Sequence, residues 1–146
     1  MASVQTAVVS ATPTLDTSAY ASGDCLHTAV IQFVGIPDGI GFIDKMIVVD
    51  ADLQSVALEL WLFSATVTPA AANAAHSISD AHAALCVGVI SSGPYYASAL
   101  NSVSVAKGVA LPFKCAATTL FGILVTRGAP TYTASGLTVS LQISQA

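Results

Sequence analysis

The sequence predicts a single all-β domain over residues 1–146: an antiparallel β-sandwich of about eight or nine strands, expected to be a jelly roll, with one short helical turn. Three observations predict it. Apolar residues recur with a period of two, turn signals return at close spacing, and no helical stretches alternate with the strands as a parallel sheet would require. The period is clearest in Leu137-Thr138-Val139-Ser140-Leu141-Gln142-Ile143-Ser144. Successive strand side chains point to opposite faces. Leu137, Val139, Leu141 and Ile143 therefore line a buried side, and Thr138, Ser140, Gln142 and Ser144 a wet or contacting one.

Taken in order, β-branched and aromatic content marks strands at 4–11, 28–34, 42–49, 56–63, 86–91, 109–116 and 120–126, with shorter alternation at 102–105. The N-terminal segment 2–11 reads as an arm or an edge strand. Gly35-Ile36-Pro37-Asp38-Gly39-Ile40-Gly41 is a turn, because Pro fixes φ and Gly supplies positive φ. Ser92-Gly93-Pro94 and Gly128-Ala129-Pro130 are further breaks, and Ala134-Ser135-Gly136 leads into the last strand. Segment 66–77 reads as a long surface loop, expected to touch a neighbouring molecule. After it, Ser79 or Asp80 caps a helical turn that runs toward Leu85. In 56–63, Trp61 and Phe63 alternate with Leu58, Leu60 and Leu62, so one face enters the core and the other needs a second core or an interface.

Charge is the compositional outlier. Only 8% of residues are charged, although 54% are hydrophobic, against roughly 25% charged in an ordinary soluble domain. The exterior must be built largely from Ser, Thr, Ala, Gly, Asn and Gln, which suits a surface covered by copies of itself or by a partner. The four formal cations Lys45, Lys107, Lys114 and Arg127 are scattered along the chain, so nucleic-acid binding is not expected. No apolar stretch approaches the roughly 20 residues of a membrane span. Met1-Ala2-Ser3-Val4-Gln5 lacks the basic and apolar regions of a secretory signal, so the expected site of synthesis and assembly is a cytosol. Cys25, Cys86 and Cys115 have no metal-binding spacing and are expected to be reduced and buried.

The search for chemistry yields no constellation. Ser91 and Ser92 in Gly88-Val89-Ile90-Ser91-Ser92-Gly93 lack nucleophile-elbow spacing and read as a strand running into a turn. His76, Asp80 and His82 lack zinc spacing on an Ala-rich loop and read as exposed polar residues. His27 has no visible partner. Asp38, Asp44, Asp50 and Asp52 form neither a calcium loop nor an acid–base pair, and Asp50 and Asp52 read as turn residues. Gly35, Gly39 and Gly41 precede a strand, so they cradle no phosphate. Tyr95 and Tyr96 beside Pro94 are the candidate sugar platform, with core or subunit contact as the alternative role. No catalytic residue, cofactor or metal is expected.

Two stretches carry a resemblance. Ala57-Leu58-Glu59-Leu60-Trp61-Leu62-Phe63-Ser64-Ala65-Thr66 continues through the Ala-rich loop to Val87-Gly88-Val89-Ile90. The second is Thr119-Leu120-Phe121-Gly122-Ile123-Leu124-Val125-Thr126-Arg127-Gly128-Ala129-Pro130-Thr131-Tyr132-Thr133, followed by the alternating strand. Together they resemble small structural proteins of tailed bacteriophages, some of which are jelly-roll cement, or head-decoration, proteins. The resemblance implies a non-enzymatic virion protein on the capsid exterior. It would bind the major capsid protein as a homo-oligomer, expected to be a dimer, and stabilise contacts between capsid subunits, with no role in binding nucleic acid or membrane. The alternatives are another virion component (tail, neck or fibre base) or a carbohydrate-binding adhesion module.

Overall fold

The computed structural model describes residues 5–145, and these form two antiparallel sheets packed face to face. The strands are β1 (Gln5–Ala11), β2 (Ile31–Phe33), β3 (Ile40–Asp50), β4 (Leu58–Phe63), β5 (Cys86–Ser91), β6 (Tyr95–Ala97), β7 (Ser102–Lys114), β8 (Leu120–Thr126) and β9 (Leu137–Gln145). One sheet has the order β1-β9-β3-β7-β6 and the other β2-β8-β4-β5. The chain thus pairs β1 with β9, β2 with β8, β3 with β7 and β4 with β5. This nesting is a long hairpin rolled over on itself, the strand order of a jelly roll.

The strand pattern differs from expectation in three places. Segments 102–105 and 109–116 belong to one strand, β7, which bends at Gly108 (φ 67°) and Ala110 (φ 49°). There Asp44 of β3 bulges out of register against both neighbours, and a bulge lets a long strand coil without breaking. Tyr95–Ala97 adds a short edge strand that was too brief to recognise by periodicity. Segment 28–34 shrinks to Ile31–Phe33, because residues 27–30 leave the ladder with β8. Residues 5–11 are an edge strand, paired along their length with β9, while the rest of the 2–11 segment lies outside the described residues.

The main core lies between the sheets. Leu137, Val139, Leu141 and Ile143 of β9 are fully buried there, as the alternation requires. Leu58, Leu60 and Leu62 meet them from β4, with Phe33, Met46 and Val48 from neighbouring strands. Each such side chain contributes about 2 kcal/mol of burial free energy.

The opposite face of β4 and β8 carries a second core. Phe63, Ile123 and Val125 are fully buried with Cys25 and Val67, and Trp61, Ala70, Ile78 and Phe121 pack around them. The cover is the chain itself. Residues 64–79 fold back across this sheet and bond to the segment before β2. Cys25 N–H donates to Ala74 O at 2.8 Å, Asn73 N–H to Cys25 O at 2.9 Å and His76 N–H to Gly23 O at 2.9 Å. Val67, Ala70 and Ile78 supply the loop's apolar underside. The loop's apolar underside therefore covers its own sheet, and residues such as Thr66, Thr68, Ala71 and Ser77 on its other side stay exposed. It ends in α1 (Asp80–Ala83), where the Ser79 hydroxyl caps the turn by accepting from His82 N–H at 3.2 Å.

Candidate functional site

The candidate polar residues are dispersed by the fold. Asp38 and Asp50 sit beside opposite ends of β3, roughly 35 Å apart at about 3.3 Å per residue. Asp44 occupies the bulge between them. Asp50 is a turn residue, as expected, but a buried one, accepting from Asp52 N–H at 2.9 Å and Ser55 N–H at 2.7 Å. Asp52 ties the same turn to the loop before β9 by accepting from Thr133 N–H at 2.8 Å and its hydroxyl at 3.0 Å. Gly39 closes the turn Pro37–Gly39 at φ 64°, where a side chain would meet Ala117 O at 1.9 Å. Its role is steric. Ser92 Oγ accepts from Leu58 N–H at 3.0 Å, which fixes the turn after β5.

His76 departs from the expected exposed position. Its ring lies 4.6 Å from that of Trp61, and both ring nitrogens are buried without a hydrogen-bond partner among the described residues. Desolvation, with Arg127 nearby, lowers its pKa and favours the neutral ring. His82 Nδ1 instead accepts from Thr68 N–H at 3.2 Å. Among the described residues, no group of three His, Cys, Asp or Glu side chains is placed to hold a metal. Tyr95 and Tyr96 are separated by the strand alternation. The Tyr95 hydroxyl donates to Val56 O at 2.8 Å, and burial raises its pKa to about 12. Tyr96 is left exposed alone, so the pair forms no double platform. The three cysteines are free thiols, with Cys25 and Cys115 buried and Cys86 half-buried.

Two clusters are assembled by the fold from residues that no motif joins. His27 is buried where residues 27–30 leave the sheet. Its Nδ1–H donates to Ala29 O at 2.6 Å, and its Nε2 accepts from Leu124 N–H at 2.9 Å. The imidazole thus takes the place of a missing strand carbonyl in the β8 ladder. Burial depresses its pKa to about 4, so the ring is neutral at pH 7. The second cluster joins β4 to the end of β8: Glu59 Oε1 accepts from Arg127 at 2.8 Å and from the Trp61 indole at 3.2 Å. Arg127 holds the Glu59 carboxyl below its usual range. Neither cluster was visible as a motif, because each joins residues distant in sequence.

Concavity offers little to chemistry. An open cleft of about 740 Å³ lies between residues 11–16 and 28–32. It is lined by hydroxyls, backbone and aliphatic groups, and its single charged residue, Asp16, accepts a hydrogen bond from Asn73 at 2.8 Å.

The broad outer face of the five-stranded sheet is the feature that stands apart. Across β3 and β7 its outward partners are Val49–Val103, Ile47–Val105, Lys45–Lys107 and, past the bulge, Phe42–Pro112. None of these residues belongs to either core. Beside them β9 presents Thr138, Ser140, Gln142 and Ser144, and β1 presents Thr6, Val8 and Ser10. Hydroxyls pair across these strands, Ser10 with Ser140 and Thr12 with Thr138, each at 2.8 Å. The result is a broad sheet face bearing half-buried aliphatic rows, hydroxyls and three of the chain's four cations, Lys45, Lys107 and Lys114. No protein-family model matches this chain, and neither does any curated protein sequence.

Proposed function

We propose that this chain is a non-enzymatic structural protein of a virus particle, binding the outside of a phage capsid and stabilising contacts between major capsid subunits. One observation supports the reading: a broad sandwich face of half-buried aliphatic rows and hydroxyls outside both cores, on a molecule whose polar side chains are largely engaged in turns and loop anchoring. Twelve formal charges serve 6936 Å² of accessible surface. Such a surface gains from being covered, and a shell with repeated identical sites covers many copies at once. The phage-protein resemblance of the 57–90 and 119–144 stretches supports the same assignment. Self-association as a symmetric oligomer, expected to be a dimer, belongs to the proposal.

Purified particles test it directly. The chain should be present in many copies per head and remain with heads that lack tails. Heads stripped of it should rupture at lower temperature and milder osmotic shock, and adding the protein back should restore them. A few copies confined to tails, or equal survival of stripped and complete heads, would assign it elsewhere.

A further inference from the structure

We propose that the outer face of the five-stranded sheet docks a protein surface that presents carboxylates among apolar side chains, with Lys45 and Lys107 reading those carboxylates. The shell-binding reading gives this proposal its biological setting, while the face itself gives the chemistry. Lys45 and Lys107 are direct register partners on β3 and β7, which places their Cβ atoms about 5 Å apart. Like charges in that position destabilise a sheet. Neither forms an ion pair: among the described residues the salt bridge is Arg127–Glu59, on the other sheet. Two of the chain's four cations are therefore set side by side without an ion pair, and Lys114, outward with Ile40 beyond the bulge, puts a third on the same face.

The surroundings select the partner. Val49–Val103 and Ile47–Val105 continue the same two strands as aliphatic pairs outside both cores. Two cations at the end of an aliphatic strip match a protein surface that mixes acidic and apolar residues. Polyanionic nucleic acid calls for more phosphate-neutralising cations than this face holds. A second copy docked by the same face would bring the like-charged lysines of both copies together. Partner carboxylates would relieve the Lys45–Lys107 repulsion, and partner apolar groups would cover the aliphatic rows.

Backbone NMR of the full chain, titrated with a random copolymer of glutamate and tyrosine, tests the face without a capsid. Shifts should concentrate on the outward residues of β3 and β7, weaken with salt, and fall by about tenfold in apparent affinity in Lys45→Gln/Lys107→Gln, with Lys45→Arg/Lys107→Arg retaining binding. Shifts elsewhere, indifference to the Gln variant, or equal response to duplex DNA would overturn the proposal. Stripped phage heads separate the two readings. If they bind the wild type and Lys45→Glu/Lys107→Glu equally well, the docking face is wrong and shell binding stands. If they bind neither while the copolymer maps to β3 and β7, the shell reading fails and the face stands.

Discussion

At the scale of single residues, His27 has the most consequential role that its sequence neighbours do not announce. It supplies an acceptor to Leu124 N–H where residues 27–30 depart from the sheet. Protonation converts that acceptor into a donor facing a donor. The unfolded ring titrates near 6.5 and the folded ring near 4. Between those values the unfolded chain binds the extra proton, so stability falls as pH falls. The contribution is complete above about pH 6.5 and is lost by about pH 4, a difference on the order of 3 kcal/mol. Urea denaturation at pH 7 and pH 4 should show His27→Gln losing about that much less stability than the wild type. An identical pH dependence in the two proteins would remove His27 from the account. Lys45 makes the complementary case, in which stability yields to recognition. Lys45→Glu turns a repulsive cross-strand pair into an attractive one, and thermal unfolding should show a gain of a few tenths of a kcal/mol, about the size of an exposed pair.

At the scale of elements, the second core decides what the Ala-rich loop is for. Alternation in β4 made Trp61 and Phe63 a second apolar face, but period alone does not distinguish a subunit interface from a cover supplied by the same chain. The cover could not be read because alanine is ambiguous: Ala70 and its neighbours serve equally as loop or packing residues, and the anchoring bonds to Gly23 and Cys25 are backbone bonds that carry no side-chain signature. The cap of α1 at Ser79 was legible because capping is local chemistry. If the loop is part of the folding unit, Phe63→Ala should cost about 3–4 kcal/mol, as much as Phe33→Ala in the main core. Chemical denaturation measures both. A cost for Phe63→Ala below about 1 kcal/mol would mean that the loop lifts away easily and the outer face of β4 is open to partners.

At the scale of the whole molecule, the sandwich class followed from period and punctuation, whereas the order of strands did not, because pairing in a jelly roll joins residues by nesting and not by nearness. Leu137–Ile143 announced which face is buried without indicating that β1 and β3 are the strands beside it. The nesting has a kinetic consequence. Gln5 pairs with Gln145 and Ala11 with Val139, so the seven-residue β1–β9 ladder closes a loop that spans almost the entire chain. Loop closure must come before those contacts can repay it, which slows folding. A circular permutant changes this term most directly. Joining the ends through residues 146 and 1–4, and opening the chain between Leu100 and Asn101, makes β9 and β1 consecutive. The opening falls beside exposed Leu100, and the β6–β7 ladder it makes non-local has three residue pairs against seven in the ladder it makes local. Stopped-flow refolding should be faster in the permutant by about tenfold, with equilibrium stability changed by less than about 2 kcal/mol. Because the gain comes from the unfolded chain's search, it should appear in the folding limb while the unfolding rate stays near that of the parent. An unchanged folding rate at equal stability would mean that β1 docks after the rate-limiting step, leaving the β3–β7 and β4–β8 pairings to set the speed of the fold.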